Sequence, residues 1–162
     1  MLRDPACIAI VDAAHARLYT YKHIDEEPRL LEARDLVNPG RQAHDKFADT
    51  KPGNRWQEGG RGSTDDHRDD YIAECDARFA KHVVQEVEGL VIGGRLGRRV
   101  ILVAAPKMLG ALRTAAWQLR RHELAIHELA EDLAWMTTPQ LHEHLARHRL
   151  IAARQGAIPR AT

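Results

Sequence analysis

The chain has 162 residues, enough for one domain that buries its own core without metal or disulfide support. Hydrophobic residues make up 44% of it and charged ones 29%, an ordinary globular balance, and the formal net charge is only +1. Bulk attraction to nucleic acid is thereby excluded, so an RNA partner would need a local basic patch. No apolar run approaches the ~18 residues of a membrane span, and the opening MLRDPACIAIV enters a strand-like run without a signal-peptide cleavage pattern. A soluble, cytoplasmic protein with no membrane partner is the expectation.

In chain order, CIAIV (Cys7 to Val11) is a continuous apolar run that predicts a strand buried on both faces. After a short DAAH break, Ala16 to Lys22 is β-prone through Leu18, Tyr19, Thr20 and Tyr21. The connection is short enough to make these two strands antiparallel neighbours. HIDEEP reads as a polar turn, and Arg29 to Val37 as a third strand. A long loop is expected over 38–68, punctuated by Pro39, Gly40, Pro52, Gly53, Gly59, Gly60 and Gly62. Its sizeable apolar side chains are Phe47 and Trp56, too few to offset the entropy of ordering it, so mobility is expected. From Ser63 the composition changes. Ser63, Thr64, Asp65, Asp66 and Asp69 offer N-caps and acidic charge for a helix start. Ile72, Cys75, Phe79, Val83, Val87, Leu90 and Val91 then repeat along one helical face, ended by Gly93 and Gly94. Val100 to Ala105 is a second fully apolar strand. Pro106 opens a helix with Leu109, Leu112, Ala116 and Leu119 as its stripe. Leu124 to Leu129 reads as the last strand, and Thr137, Thr138 and Pro139 start a final helix with Leu141 and Leu145 inward.

The order β-β-β-α-β-α-β-α predicts an α/β fold: three antiparallel strands and two crossover units forming a mixed five-stranded sheet, with helices on both faces in three layers. A ribonuclease-H-like architecture fits it. A single domain over 1–153 is expected, with a frayed tail over 154–162. If the first strand lies beside the fourth, the crevice outside their carboxyl ends is the favoured binding site. Asp12, His15, Arg17 and Lys107 are its candidate lining, there to bind an anionic ligand at a helix N-terminus. Arg17 has the alternative reading of a structural ion-pair partner, and His15 that of a hydrogen-bonded turn residue.

Metal and nucleophile chemistry finds little support. HELAIH (His122 to His127) is one residue too long for a zinc-protease motif, which puts its histidines about 140° apart on a helix. HEHLARH places His144 and His148 on one helical face. Without a nearby carboxylate or thiol set, they read as a solvated polar face. Asp12 could serve a two-metal nuclease, but VILVAA supplies no second acid. GGRLGRR precedes a strand, whereas phosphate loops follow one, so it reads as a helix end and turn. Ser63 is the only serine of the chain and sits in no nucleophile elbow. The two cysteines, Cys7 and Cys75, fall in apolar-periodic segments and read as reduced, packed thiols. No metal, cofactor or catalytic residue is assigned.

Binding remains. Between Asn38 and Gly62 the loop sets Arg41, Lys46, Lys51, Arg55 and Arg61 against Asp45, Asp49 and Glu58. That positive excess around Trp56 suits contact with an RNA backbone and stacking on a base, while a solvated insertion explains the same composition.

The landmarks VDAAHARLY, DLVNPGR, ARFAKHV, LVAAPKMLGALR and ELAEDLAW together resemble the bacterial host-attachment protein family, whose members are named as required for attachment to host cells. The resemblance runs from about Ala6 to Leu145. That family is in turn similar to the central domain of archaeal and eukaryotic peptide-chain release factors, which carry a Gly-Gly-Gln tip before the first long helix. Gly59-Gly60 occupies the corresponding place, with Arg61 where glutamine would stand. The resemblance thus implies a ribosome- or RNA-associated module acting through Arg55, Trp56, Gly59, Gly60 and Arg61. Binding rather than catalysis is the favoured reading; a hydrolase of peptidyl-tRNA or RNA, and an indirect role in host attachment, are the alternatives.

Overall fold

The computed structural model describes residues 2–41 and 63–156. Among the described residues the chain runs through β1 (Ala6–Val11), β2 (His15–Ile24), β3 (Glu27–Val37), α1 (Ser63–Gly93), β4 (Arg99–Ala104), α2 (Pro106–Ala115), a 3-10 helix (Ala116–His122), β5 (Ala125–Leu129) and α3 (Thr138–Arg147). The sheet order is β3-β2-β1-β4-β5, with β1 antiparallel to β2 and parallel to β4, and β5 parallel to β4. The expected mixed five-stranded α/β sheet is therefore present.

β1 and, after Arg99, β4 are apolar because they lie in the middle of the sheet and are covered on both faces. Cys7, Ala9, Val11, Val100, Leu102 and Ala104 point toward α1 and α2. There they meet Phe79, Val83, Val87, Leu109 and Leu112. Ile8, Ile10, Ile101 and Val103 point the other way, toward Leu141 and Leu145 of α3. Strand periodicity thus divides one sheet between two cores. Both cysteines are free and buried, and burial pushes the Cys7 thiol up to about 12, which leaves it inert.

Two features of the hairpin are not written in simple alternation. β2 and β3 are joined by Asp25 and Glu26, both at positive φ (53° and 66°), the backbone of a two-residue hairpin turn. Further along, the register passes from Leu18↔Arg34 to Tyr19↔Glu32, leaving Ala33 as an extra residue in β3. This bulge lets Leu36 join the core under α1 while Leu30 joins the core under α3, although the two are an even number of residues apart.

The predicted helix starting at Pro106 tightens after Ala115 into the 3-10 turn that carries Leu119, so its stripe is shared between two elements. Within the stretch expected as loop, Asn38 is buried and α1 already runs from Ser63. Arg55, Trp56, Gly59, Gly60 and Arg61 lie outside the described residues. No helix among the described residues is long and apolar enough to cross a membrane.

Candidate functional site

β1 and β4 end side by side at the pair Val11↔Ala104, and the chain leaves them in different directions. From β1 it turns back into β2; from β4 it enters α2. A cavity of about 370 Å³ opens at this point, lined by Asp12, Ala13 and Ala14 from the first turn and by Ala105, Lys107 and Met108 from the second. Arg41, Asp76 and Asp132 complete its wall.

Each side of the cavity is built by local bonding. Asp12 Oδ1 accepts the amides of Ala14 (2.8 Å) and His15 (2.6 Å), and the Asp12 amide donates to the His15 carbonyl. The carboxylate therefore closes its own turn. Asn38, at the end of β3, holds the same turn from outside. Its amide donates to the Ala14 carbonyl at 2.7 Å, and its Nδ2 to the Ala13 carbonyl at 2.9 Å. Two residues on, a Cβ at Gly40 would stand 2.6 Å from Cys75 Sγ, so the chain passes close against α1. That approach delivers Arg41, whose Nε lies 3.4 Å from Oδ1 of the buried Asp76 on α1. The DLVNPGR run is accordingly a splice that ties the β1–β2 turn to α1 and ends with a guanidinium in the cavity wall.

On the opposite wall α2 starts at Ala105 with no side-chain cap and no acidic residue in its first turn. Its free amides and the positive end of its dipole face outward unneutralised. Lys107, exposed in that first turn, makes no hydrogen bond or ion pair with the other described residues. The three carboxylates are engaged elsewhere: Asp12 in its turn, Asp76 with Arg41, and Asp132 Oδ1 with the Ala134 amide at 3.2 Å. Lys107 is thus the cation without a partner at this crevice among the described residues, which suits an incoming anion. The carboxylates do not converge as a two-metal centre requires. Among the described residues, the trio whose ligand atoms lie within 4.8 Å of one another is Glu131, His144 and His148, none of which lines the crevice.

Of the four residues expected at the crevice, Asp12 and Lys107 line it. His15 stands at its margin, exposed, with Nδ1 3.9 Å from Asp12 Oδ1. Arg17 points to the other face of the sheet. Its Nη2 donates to the carbonyls of Ala134 (2.9 Å) and Met136 (2.8 Å), and more weakly to that of Leu133 (3.4 Å). It pins the segment between β5 and α3, a structural role met through carbonyls rather than through an acid. The residues that sequence reasoning missed are Asn38, Asp76 and Asp132. Asp76 carried a readable signal, since it falls four residues after Ile72 and four before Ala80, inside the apolar stripe of α1. Asn38 carried none, because its role lies in two carbonyls more than 20 residues away.

HELAIH is dispersed as expected: His122 lies by Glu88, 3.5 Å away, and His127 sits in β5. His144 and His148 do share a face of α3, but they are not merely solvated. The fold places the Glu131 carboxylate between them, a neighbour that sequence distance concealed.

No curated protein matches the chain. The family model described as "Protein required for attachment to host cells" matches residues 7–145, a stretch holding the sheet from its second residue onward and every residue of the crevice, and the chain belongs to that family.

Proposed function

We propose that this host-attachment-family chain is an RNA-binding module, with the ribosome as its partner, in which the crevice takes a backbone phosphate. The observation that carries the reading is the unpartnered Lys107 in the uncapped first turn of α2, opening on a cavity of about 370 Å³. The glycine-rich stretch with Arg55, Trp56, Gly59, Gly60 and Arg61 leaves the described chain at Arg41, in the wall of that cavity, and rejoins it at Ser63. Phosphate held at Lys107 and base stacking on Trp56 are the two kinds of contact this reading calls for. The choice of the ribosome rests on the resemblance to release-factor central domains. Arg61 in place of glutamine speaks against peptidyl-tRNA hydrolysis, and a role in attachment to host cells is then indirect.

Co-sedimentation with ribosomes across a salt series tests this. Binding is expected to weaken steeply as salt rises, and Lys107→Glu to lower affinity and reduce the salt slope by about 1. Trp56→Ala is expected to weaken binding with the slope unchanged. Absence of ribosome or RNA binding even at low salt overturns the reading. Peptide release from charged ribosomes, abolished by Gly60→Ala, would replace it with the hydrolase.

A further inference from the structure

A second cluster lies where the segment after β5 meets the end of α3. One carboxylate stands between two imidazoles there. Glu131 Oε2 lies 2.5 Å from His144 Nε2, and Oε1 lies 3.5 Å from His148 Nε2. The two rings are 4.7 Å apart, and one ligand atom from each of the three residues lies within 4.8 Å of the others.

This arrangement differs from the other histidine–glutamate pairs among the described residues. His82 with Glu86 and His122 with Glu88 are single contacts of 3.7 and 3.5 Å, one imidazole to one carboxylate. At Glu131 two imidazoles from consecutive helical turns converge, both through Nε2. A carboxylate accepts from both only while both Nε2 atoms carry protons. A divalent cation would replace those protons and be held by two imidazole nitrogens and one carboxylate oxygen.

The support for the three ligands is firm. His144 and His148 are four residues apart at the end of α3, whose inner face is fixed by Leu141 and Leu145 and whose start is fixed by the Thr137–Gln140 capping box. Glu131 stands two residues before buried Leu133, in the segment that Arg17 pins through three carbonyls. Positions held in this way need little reorganisation to take a ligand. The side chains keep 22% (His144), 38% (His148) and 39% (Glu131) of their exposure, so solvent reaches the site.

We propose that Glu131, His144 and His148 form a binding site for a zinc-class divalent cation, with a coordination position left open to water or to a ligand from a partner. Two imidazoles and a carboxylate match zinc, nickel or copper, whereas calcium and magnesium take all-oxygen sets. Three protein ligands with solvent access correspond to an open centre rather than a closed structural one. None of the three is among the residues that line the crevice, although Glu131 adjoins Asp132 of its wall, and His148 lies beyond the stretch that the family model matches.

The test uses the untagged full chain, stripped with chelator and titrated with zinc sulfate by calorimetry. One saturable site per chain is expected. Affinity should fall at least about tenfold in His144→Ala, His148→Ala and Glu131→Gln, and remain unchanged in His122→Ala. Cobalt substitution should give the intense visible absorption of a low-coordinate centre in the wild type and lose it in Glu131→Gln. Zinc should raise Tm in the wild type and leave it unchanged in His144→Ala/His148→Ala, whose Tm without metal reports that it folds. Absence of saturable zinc uptake by the wild type, or unchanged affinity in both Glu131→Gln and His148→Ala, overturns the proposal.

Discussion

Asn38 and His142 are polar residues buried without cost because each has a defined partner. Asn38 spends its amide groups on the turn that shapes the crevice. His142 lies on the inner side of α3 with Nε2 2.9 Å from the Ala152 carbonyl, joining the helix to the chain after it. Burial holds its pKa below the ordinary value of 6.5, so the native state keeps the ring neutral while the unfolded chain takes up a proton as the pH falls. The unfolded state then binds more protons in the acid range, and stability must fall with pH there. The contribution is complete above about pH 6.5 and is lost progressively as the pH drops from there through the depressed native value. Urea unfolding at pH 7.5 and 5.5 should show that loss, and His142→Gln should show a shallower one, since an amide can still donate to Ala152. An equal slope in both proteins would exclude His142 as its source. The buried histidine is legible as a residue type, but its partner ten positions on is not, because α3 ends and the chain doubles back before they meet.

Local chemistry decides where α3 begins. Thr137 Oγ1 accepts the Gln140 amide at 3.4 Å, and Gln140 Oε1 accepts the Thr137 amide at 2.9 Å, a reciprocal pair that satisfies two otherwise orphaned donors. Pro139 lies within the first turn, where its missing N–H is harmless. Thr137→Ala should therefore destabilise the protein by about 1 kcal/mol, and Thr137→Ser by much less, as read by chemical denaturation. This start is written in the sequence as Thr-Thr-Pro before an apolar period. The Ala33 bulge is not written there. Along β3, Leu30 and Leu36 have the spacing of one face, and the extra residue between them is favoured by the two cores it fills rather than by any local signal.

Across the whole molecule, Arg17 is the clearest tie between the N-terminal hairpin and the C-terminal crossover. Its guanidinium lies 5.8 Å from the Tyr19 ring centre and reaches three carbonyls well over 100 residues away. Arg17→Met keeps most of the aliphatic stem and strands those carbonyls, so a loss of about 2 kcal/mol is expected. In urea the midpoint should fall with the slope m unchanged, because the same surface is still exposed in one transition. A reduced m, or two transitions, would mean that the halves of the sheet unfold separately.

Sequence alone determined the strand and helix order, the apolar strands β1 and β4, the crevice at their ends and the starts of α2 and α3. These follow from periodicity, capping and chain direction, all of which act over a few residues. Tertiary structure alone decided that Arg17 faces away from the crevice, that Asn38 and Gly40 steer Arg41 against Asp76, and that Glu131 stands between His144 and His148. Such groupings join residues 13 to 119 positions apart, and side chains so distant meet only when the sheet has set which face and which end each one occupies.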